Sequence, residues 1–393
     1  MGVDWLAWAI TALGSVLLVE IVRDSYHVLC HQIPALARWH NRHHAAYRRD
    51  LSIVSIAAFR QSQLYHDMTE SAILLAVILA VAAVTGWTGV WVGVVYAGAF
   101  LAGATRRYLW VTGDTDYNHQ PGPLVELPSA WRVNRTYHWR HHFDNVNAYY
   151  SGVVPLVDKV LGTALSLKGK KVGVTGAAGA LGQALCRELV KSGAHVTALT
   201  THPQCLQDHP EMTIVGWQIH RESELLPVLE KLDILIINHG LNVYGRRDFA
   251  AIETSLQVNT LSVLRLMELF FSTVTGPDAK ATKELWINTS EAEVSPALSP
   301  LYELSKRLLG NLVTLKRLDN VCVIRKIVLG PFKSPLNPYG VMSPQFVAKA
   351  ILFLAKRDFR DIVVTVNPFT YILYPLKEGL TWFYYWLFSR ASC

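Results

Sequence analysis

Eight of the fifteen histidines lie in three short blocks whose spacing turns imidazoles toward one face of a helix. His27 and His31 form an i, i+4 pair, and two later blocks share the pattern H-x-x-H-H. The members of the later blocks are His40, His43, His44, His138, His141 and His142. Imidazole is a preferred ligand for zinc, copper, iron and nickel. A solvated basic helix would explain one block but not its recurrence, so the blocks predict a metal site.

Four further polar residues lie close to these blocks in the sequence. His119 is in a polar loop, and we expect it to be a ninth metal ligand. His66 stands alone at the start of an apolar segment, which favours a structural or interfacial role. Glu20 and Asp24 share the helical stripe of the first histidine pair, where their carboxylates could orient the imidazoles. A role as a cap or a surface acid is equally compatible with either carboxylate.

A second group of reactive side chains lies in the C-terminal half. Tyr302 and Lys306 are one helical turn apart, so an ammonium can lie beside the phenol and lower its pKa. Ser290 ends a predicted strand, where it can hydrogen-bond a reacting oxygen, and Asn259 would anchor a proton relay. A Y-x-x-x-K pair alone occurs by chance on many helices. Together and in this order, the four residues predict a site for proton transfer.

A glycine-rich turn with the pattern T-G-x-x-G-x-x-G precedes this group and follows a strand at 171–174. Backbone N–H groups in such a turn can face a dinucleotide pyrophosphate. The turn residues assigned to cofactor binding are Thr175, Gly176, Gly179, Leu181 and Gly182. Further strands are predicted at 195–200, 213–217, 233–238, 284–289 and 321–328, with helices between them. Strand alternating with helix predicts an α/β, Rossmann-type, doubly wound parallel sheet.

The end of the second strand bears on the choice of dinucleotide. This strand ends at Thr200, and no acidic residue follows that could hold a ribose 2′-hydroxyl. NAD(H) is therefore disfavoured. We expect NADP(H), with Thr200 among the cofactor-binding residues, although no arginine there supports NADP(H) directly.

The composition predicts a chain that is partly embedded in a membrane. Its 393 residues suffice for two domains, 51% are hydrophobic, only 17% are charged, and the mean hydropathy is +0.22. The five cysteines lack C-x-x-C or regular spacing, which excludes a disulfide framework and a cysteine-ligated cluster. Basic residues near the N-terminus adjoin apolar segments, so anionic lipid and membrane topology explain the net charge of +7 better than nucleic acid. No nucleic-acid partner is expected.

Apolar segments predict three membrane crossings. Residues 5–22 carry a single charge, Glu20, and residues 71–105 carry none. Since a crossing needs about 20 residues, 71–105 predicts a helical hairpin that turns at 85–89. This count leaves every histidine block on one side of the bilayer. Arginine is frequent on that side and absent from the opposite loops, which predicts an integral, multi-pass protein with its sites on the cytosolic face.

Residues 361–393 are again apolar and aromatic. Lys377 and Glu378 interrupt the segment, which argues against a clean membrane span. The composition favours a membrane-associated tail, either an interfacial helix or a re-entrant pair, that holds the C-terminal domain against the bilayer. A helix packed on the protein's own membrane part is the alternative.

The histidine blocks, placed at the cytosolic ends of apolar hairpins, resemble the fatty acid hydroxylase and sterol desaturase superfamily of integral-membrane diiron enzymes. The resemblance covers residues 1–160. It implies an all-α domain in which eight block histidines, with His119 in addition, hold two iron ions that activate dioxygen and attack an unactivated C–H bond of a lipid. Cleavage of dioxygen needs a redox metal, which zinc cannot supply. Spacing alone does not distinguish iron from zinc.

Residues 168–345 resemble the short-chain dehydrogenase/reductase family through the glycine turn and the set of four proton-transfer residues. The resemblance implies alcohol–carbonyl interconversion. The positions that it assigns to the cofactor beyond the glycine turn are Asn238, Gly240, Tyr302, Lys306, Gly330 and Pro331. Asn238-His239-Gly240 keeps only part of the family's N-N-A-G stretch. Residues 334–342 would begin a lid over the substrate.

The whole chain resembles fused desaturase-like and dehydrogenase-like proteins of cyanobacteria and, more distantly, plant wax-biosynthesis proteins. The predicted function is iron- and O2-dependent hydroxylation or desaturation of a sterol, carotenoid or acyl lipid, coupled to NADP(H)-dependent alcohol–carbonyl interconversion. Fatty aldehyde metabolism toward wax hydrocarbons and an oxygenase with a purely regulatory dinucleotide domain are the alternatives. Because the sequence has no haem or cluster motif, we expect an external ferredoxin- or cytochrome-type electron donor.

Overall fold

A computed structural model describes residues 4–206, 210–276 and 278–390. The chain divides into two compact units, Met1–Leu165 and Ser166–Cys393. Residues 1–3 of the predicted first domain and residues 391–393 of the predicted tail lie outside the described ranges.

The first unit is built from helices. They are α1 (Trp5–Gln32), α2 (Pro34–His44), α3 (Ile56–Ser62), α4 (Met68–Thr85), α5 (Val90–Trp110), α6 (Arg135–Phe143) and α7 (Leu156–Leu161). A π-helical turn, Gln63–Asp67, joins α3 to α4 without a break. Within the described residues, two helical segments are long and apolar enough to cross a membrane, Trp5–Gln32 and Ile56–Thr85.

Helices α4 and α5 form the predicted apolar hairpin. Gly86 ends α4 with a φ of 65°, a left-handed conformation that favours glycine at a helix end. Helix α1 packs against both arms, and Val19 shares a buried core with Ile78 of α4 and Ala97 of α5. The first crossing was expected to end at residue 22, but α1 continues to Gln32. The first histidine pair therefore lies on the same continuous helix as the apolar segment.

Two glycines allow α1 and α5 to approach closely. A Cβ atom at Gly89 would lie 2.6 Å from the carbonyl oxygen of Trp8, and one at Gly93 would lie 2.8 Å from the side chain of Ser15. The N–H of Gly93 donates to the Ser15 Oγ at 3.0 Å. This close packing fixes the helix that carries the first two histidines.

Short helices carry the other histidine blocks. Helix α2 follows a one-residue break at Ile33 and begins with Pro34, which suits a first helical turn. Asn134 caps α6, and its side chain accepts a hydrogen bond from Tyr137 N at 3.0 Å. The hydroxyl of Tyr137 donates to buried Asp158 at 2.9 Å, which ties α6 to α7.

The second unit has the predicted α/β fold. Its strands are β1 (Lys171–Thr175), β2 (His195–Thr200), β3 (Thr213–Gly216), β4 (Ile234–Ile237), β5 (Glu284–Asn288), β6 (Val323–Leu329) and β7 (Asp361–Val364). They form one parallel sheet in the order β3-β2-β1-β4-β5-β6-β7. The six predicted strands are confirmed, and the order reverses beside β1, where doubly wound sheets bind their ligands.

Helices follow most of the strands of this sheet. They are α8 (Ala180–Lys191), α9 (Leu226–Leu229), α10 (Phe249–Leu256), α11 (Ser262–Ser272), α12 (Ala279–Thr282), α13 (Pro300–Lys316), α14 (Pro344–Ala355) and α15 (Thr370–Phe388). A π-helical turn, Gln257–Leu261, joins α10 to α11. Strands β4 and β5 are buried along their whole length, as expected for the centre of a parallel sheet.

The segment interpreted as a tail at 361–393 begins inside this sheet. Strand β7 is four residues long and pairs with β6 in parallel, with Lys326 opposite Asp361. The rest of the described tail forms one helix, α15, rather than a re-entrant pair. Helix α15 packs against α13, where Thr314 Oγ1 donates to Glu378 Oε1 at 2.8 Å. It is therefore an integral part of the second unit.

Candidate functional site

The helical unit gathers all nine predicted metal ligands into two clusters. The first cluster contains His27, His31, His40, His44 and His141, and the second contains His43, His119, His138 and His142. Within each cluster, the candidate ligand atoms lie within 4.8 Å of one another. Both H-x-x-H-H blocks contribute to both clusters. Helices α2 and α6 therefore each carry candidate ligands for both clusters.

In the first cluster the Nε2 atoms face inward. The Nε2 of His27 lies 3.1 Å from that of His40 and 3.0 Å from that of His141. The Nε2 of His31 lies 3.2 Å from that of His141, and the Nε2 of His44 lies 2.8 Å from that of His40. Five imidazoles thus point the same nitrogen toward one small volume.

The second cluster repeats this geometry. The Nε2 atoms of His119, His138 and His142 lie 3.0 Å, 3.0 Å and 3.1 Å apart in pairs. Ligands at about 2.1 Å from an ion and at right angles would be separated by about 3.0 Å, whereas tetrahedral ligands would be about 3.4 Å apart. The observed separations are therefore short enough for the three nitrogens to bind one metal ion.

The outward nitrogens of several ligands are held by hydrogen bonds. The Nδ1 of His27 donates to the carbonyl oxygen of Tyr150 at 2.6 Å, and the Nδ1 of His141 donates to that of Ala148 at 2.8 Å. Such bonds fix the ring tautomer, so that Nε2 presents its lone pair to a metal.

A carboxylate and a hydroxyl support the second cluster in the same way. The Nδ1 of His119 lies 2.9 Å and 3.0 Å from the two carboxylate oxygens of Asp116. The Nδ1 of His43 lies 3.1 Å from the Oγ of Ser62. Sequence reasoning assigned no role to Asp116 or Ser62. The D-x-x-H spacing of Asp116 and His119 was the available signal, whereas Ser62 is brought in by tertiary packing.

His66 was interpreted as structural or interfacial, and the structure places it between the two clusters. Its Nδ1 lies 3.3 Å from the Nδ1 of His40, and its ring centroid lies 4.6 Å from that of His43. Its Nε2 lies 3.4 Å from Glu70 Oε2. The chain Glu70–His66–His40 thus supports a ligand of the first cluster. The i, i+4 spacing of His66 and Glu70 on an apolar helix was a signal for such a pair.

The suggestion that Glu20 and Asp24 orient the imidazoles is not what the structure shows. Glu20 accepts a hydrogen bond from the Tyr96 hydroxyl at 2.6 Å and forms an ion pair with Arg23. Asp24 accepts from Gly152 N at 3.1 Å and also contacts Arg23. Because Arg23 is buried, it needs carboxylate partners nearby, and these two acids supply them.

Four cluster histidines on α2 and α6 are held in the form that binds metal. Burial lowers the pKa of His43, His138 and His142, and neighbouring imidazoles lower it further. The pKa of His141 falls to about 3 for the same reasons. Neutral imidazole is the ligand form of histidine. Converging ring nitrogens on neutral imidazoles fit a resident cation, because each such ring can offer a lone pair to it.

The α/β unit forms the predicted glycine turn between β1 and α8. Gly176 has a φ of 62°, and a Cβ there would lie 2.9 Å from the Cα of His239. A Cβ at Gly182 would lie 2.1 Å from the carbonyl oxygen of Gly176. Gly179 precedes the first turn of α8, and Leu181 is buried within it. The turn therefore leaves the N-terminus of a twelve-residue helix open toward a phosphate.

The end of β4 reinforces this turn. The hydroxyl of Thr175 accepts from Asn238 N at 2.9 Å, and Asn238 Oδ1 accepts from Asn288 Nδ2 at 2.6 Å. His239 replaces a residue of the N-N-A-G stretch. Its Nδ1 lies 2.8 Å from Thr175 Oγ1, and burial and the nearby Lys306 lower its pKa to about 3. A neutral, partly buried imidazole thus connects the ends of β1 and β4.

The four predicted proton-transfer residues come together around the ends of β4 and β5. Ser290 follows β5 and hydrogen-bonds the Tyr302 side chain. The Nζ of Lys306 donates to the carbonyl oxygen of Asn288 at 3.1 Å and lies 6.0 Å from the Tyr302 ring centroid. Asn259 lies in the π-helical turn, where π-bulges often mark functional sites.

Asn259 fastens the loop after β4. Its Oδ1 accepts from Leu241 N at 2.7 Å, and its Nδ2 donates to Leu241 O at 2.9 Å and to Ser305 Oγ at 3.0 Å. Gly240 lies beside it, and a Cβ there would meet Asn259 Oδ1 at 3.4 Å and Lys306 Nζ at 3.9 Å. These contacts connect Asn259 to the helix that carries Tyr302 and Lys306.

The pKa of Tyr302 differs from the sequence-based expectation. Burial raises the pKa of Tyr302, and the hydrogen bond with Ser290 opposes that rise. Burial lowers the pKa of Lys306 to about 8, against the attraction of Glu293. Lys306 is not among the groups that shift the pKa of Tyr302, since its Nζ is directed to the carbonyl of Asn288.

The remaining predicted cofactor positions lie at the same edge of the sheet. Thr200 ends β2, and its hydroxyl accepts from His202 N at 3.0 Å. Gly330 follows β6, where a Cβ would lie 2.3 Å from Thr365 Oγ1. The carbonyl oxygen of Pro331 accepts from Val341 N at 3.0 Å and Met342 N at 3.2 Å. Gly330 and Pro331 thus anchor the base of the predicted lid.

The predicted lid, 334–342, is a loop that touches a second loop. The hydroxyl of Tyr244 donates to the carbonyl oxygen of Pro335 at 3.1 Å, and Asn242 Nδ2 donates to that of Leu336 at 3.4 Å. Tyr339 is 93% exposed, so the loop presents an aromatic side chain to solvent.

Comparison with known proteins finds a family match for each of the two units. Residues 12–163 match the fatty acid hydroxylase family, and residues 172–349 match the NAD dependent epimerase/dehydratase family. The chain is 48% identical, over 416 aligned positions covering 100% of both proteins, to monoglucosyldiacylglycerol epimerase of Synechocystis sp.. The chain belongs to this family of cyanobacterial fusion proteins. This chain joins a hydroxylase-type helical domain to an epimerase-type α/β domain.

Solved structures resemble the α/β unit. A short chain dehydrogenase from Burkholderia cenocepacia, in complex with NADP, is 19% identical and covers 57% of this chain and 100% of its own, with a TM-score of 0.47. An aldohexose dehydrogenase from Thermoplasma acidophilum is 17% identical and covers 51% of this chain and 93% of its own, with a TM-score of 0.42. Membership of the fusion family makes this chain an enzyme of the oxidoreductase or isomerase type, and its apolar helices with the hydroxylase match indicate membrane association.

Proposed function

We propose that this chain epimerises the sugar headgroup of a monohexosyl diacylglycerol at a ring carbon that bears a hydroxyl. The observation that carries this proposal is full-length similarity to a glycolipid epimerase. The proton-transfer residues, which lie together at the carboxyl edge of the sheet, also support it; they are Asn259, Ser290, Tyr302 and Lys306. The reaction leaves the oxidation state of the lipid unchanged overall. It differs in this respect from the hydroxylation or desaturation that the histidine blocks favoured.

Proton transfer in this proposal runs through the Ser290–Tyr302 pair. Ser290 donates a hydrogen bond to the reacting sugar oxygen, and the Tyr302 phenolate form takes its proton as the alcohol becomes a ketone. A bound nicotinamide would supply the reversible hydride acceptor for that carbon. The ketone then presents its opposite face, and Tyr302 gives the proton back to the oxygen. One carbon–hydrogen bond breaks and one forms, so the stereocentre is inverted without net oxidation.

Lys306 and Asn259 position these groups. Lys306 would hold the nicotinamide ribose through its ammonium and, when the cofactor is bound, favour ionisation of Tyr302. Asn259 keeps α13 and the loop after β4 in register through its bonds to Ser305 and Leu241. The absence of an acidic residue after Thr200 favours NADP(H) over NAD(H).

The histidine clusters support a second candidate function. We propose that they hold two iron ions, which when bound would supply redox chemistry with dioxygen on the same lipid. The two clusters, with five and four converging imidazoles, would hold these ions. This chemistry would require a lipid substrate and an external ferredoxin- or cytochrome-type donor. The proposed arrangement is multi-pass, with both sites on the cytosolic face of the bilayer.

Two variants in nanodiscs distinguish these functions. The purified protein is incubated with monoglucosyldiacylglycerol and NADP+, and the hexose is then released from the lipid and identified. Galactose would report inversion at C4, allose inversion at C3 and mannose inversion at C2. We expect Tyr302→Phe to lower epimer formation by about 10²- to 10⁴-fold, the usual contribution of a general acid–base. We expect His138→Ala to lower bound iron while leaving NADPH binding unchanged. Full epimerisation by Tyr302→Phe would overturn the proposal.

The same assay decides between the remaining alternatives. A hydroxylated or desaturated product that requires O2 and a donor would establish the second candidate. Reduction of a fatty aldehyde in place of the glycolipid would favour wax-type metabolism. A dinucleotide domain with only a regulatory role would leave lipid products unchanged in Tyr302→Phe.

A further inference from the structure

The polarity of helix α15 is the reverse of that of an ordinary surface helix. Its only two charged residues, Lys377 and Glu378, lie at its middle and both face the α/β unit. Glu378 is buried and accepts from Lys326 Nζ at 2.7 Å. Lys377 Nζ donates to buried Glu293 at 2.7 Å. Soluble proteins normally direct helix charges to water and apolar residues inward.

The opposite face of α15 is apolar, aromatic and exposed. Six of its residues, Leu376, Leu380, Phe383, Tyr384, Trp386 and Leu387, are each 55–71% exposed. This face continues over most of a helix of nineteen residues. A contiguous apolar surface of this size is rare on soluble monomers and marks a protein or membrane contact.

We propose that this outer face of α15 lies on the lipid bilayer, with the helix axis in the plane of the headgroup region. The exposed tryptophan and tyrosine rings suit the headgroup boundary, where such rings accumulate in membrane proteins. The six residues of this face carry no charge, whereas charged side chains commonly orient a protein partner at an interface. The same chain also carries two helical segments of membrane length, so a bilayer is available to it.

The buried charges on the inner face determine that α15 lies on the bilayer and does not cross it. Lys326 of β6 forms ion pairs with both Glu293 and Glu378, at 2.8 Å and 2.7 Å. Removing α15 from this contact would leave the buried Lys326 ammonium short of a partner. Since the ion pairs lie at the middle of α15, neither half of the helix can insert along the membrane normal while they persist.

The inner face also connects α15 to the catalytic segment. Glu291, which follows Ser290, accepts from Thr365 Oγ1 at 2.5 Å and from Thr370 Oγ1 at 3.2 Å. Glu293, two residues farther on, holds Lys377. Bilayer contact by α15 would therefore hold the Ser290 segment close to the lipid headgroups, where a glycolipid sugar is found. The lipid contact itself does not depend on the proposed epimerisation.

Spin labels on the full chain in phosphatidylcholine–phosphatidylglycerol vesicles test this proposal. Leu380→Cys and Trp386→Cys are labelled separately in a background in which Cys205 and Cys393 are serine. Leu13→Cys on α1 serves as the lipid-exposed control, and Glu253→Cys on α10 serves as the water-exposed control. Collision of each label with oxygen and with a water-soluble nickel chelate is measured by electron paramagnetic resonance. We expect both α15 labels to resemble the Leu13 control, with frequent oxygen and rare nickel collisions.

Two outcomes would overturn the proposal. Frequent nickel collisions at the α15 labels would mean that this face is in water. Rare collisions with both reagents would mean that protein covers the face, either a second copy or the chain's own helical unit. A second substitution, Leu376→Glu, should raise nickel collisions at the Trp386→Cys label while leaving NADPH affinity unchanged. Because these measurements need no turnover, they can fail or succeed independently of the epimerase assay.

Discussion

At the scale of single residues, the two nitrogens of His27, His119 and His141 have different tasks. Their inward Nε2 atoms lie about 3 Å from those of neighbouring imidazoles, while their outward Nδ1 atoms are fixed by carbonyl or carboxylate oxygens. The spacing of the blocks was enough to predict which histidines gather. It could not predict their supports, because Tyr150 and Ala148 contribute backbone carbonyls, which any residue type possesses.

His66 is a residue whose role can be tested apart from activity. Because it connects Glu70 to His40, His66→Phe should weaken iron binding by about 10- to 100-fold, the usual effect of losing a partner of a metal ligand. Iron affinity is measured by chelator competition and elemental analysis. His66→Gln, which keeps a hydrogen-bonding side chain, should recover part of the affinity. Iron affinity that is unchanged in His66→Phe would show that His66 only fills space.

Lys306 gives the dinucleotide site a defined pH dependence. Burial lowers its pKa to about 8, so the ammonium is present below that pH and is lost as pH rises through it. We expect NADPH affinity to be constant near pH 7 and to fall above about pH 8, measured by fluorescence titration. Lys306→Met should bind weakly at every pH and lose this transition. A wild-type NADPH affinity that does not change up to pH 9.5 would contradict a role for the Lys306 ammonium in NADPH binding.

At the scale of elements, the alternation of strand and helix predicted most of the second unit. Parallel strands bring their carboxyl ends to one edge, so Ser290 after β5 and the Thr175 turn after β1 had to meet there. Strand β7 was missed because it has only four residues and precedes an aromatic stretch that resembles a membrane segment. Lys377 and Glu378 face inward because their ion-pair partners, Glu293 and Lys326, are distant in sequence. The sequence around α15 alone could not predict this direction.

The contact between α8 and the glycine turn yields a test of that element. A Cβ at Gly182 would overlap the carbonyl oxygen of Gly176, so Gly182→Ala should displace α8 from the turn. We expect weaker NADPH binding, by at least about tenfold, and a lower melting temperature, because overpacking costs about 1–3 kcal/mol. Gly245→Ala is the matched control, since no atom lies within 4 Å of its added Cβ. Equal behaviour of the two variants would refute this account of the turn.

At the scale of the whole molecule, the two sites draw their residues from different units. Every clustered histidine lies within Met1–Leu165, and every dinucleotide residue named above lies within Ser166–Cys393. Removing metal with a chelator should therefore leave NADPH affinity within about twofold of its original value, as measured by titration before and after treatment. A large loss of NADPH affinity, reversed by added iron, would show that the two sites are coupled.

The proposed reaction inverts a sugar carbon by hydride removal and return at the Tyr302 site. The most direct measurement uses monoglucosyldiacylglycerol with deuterium on its ring carbons, converted anaerobically in nanodiscs with NADP+ and without an electron donor. We expect an epimeric hexose that keeps its deuterium, because a bound nicotinamide would supply a hydride acceptor that does not exchange with water. An epimer that forms only with oxygen and a donor, or that loses the deuterium to solvent, would contradict epimerisation by hydride removal and return.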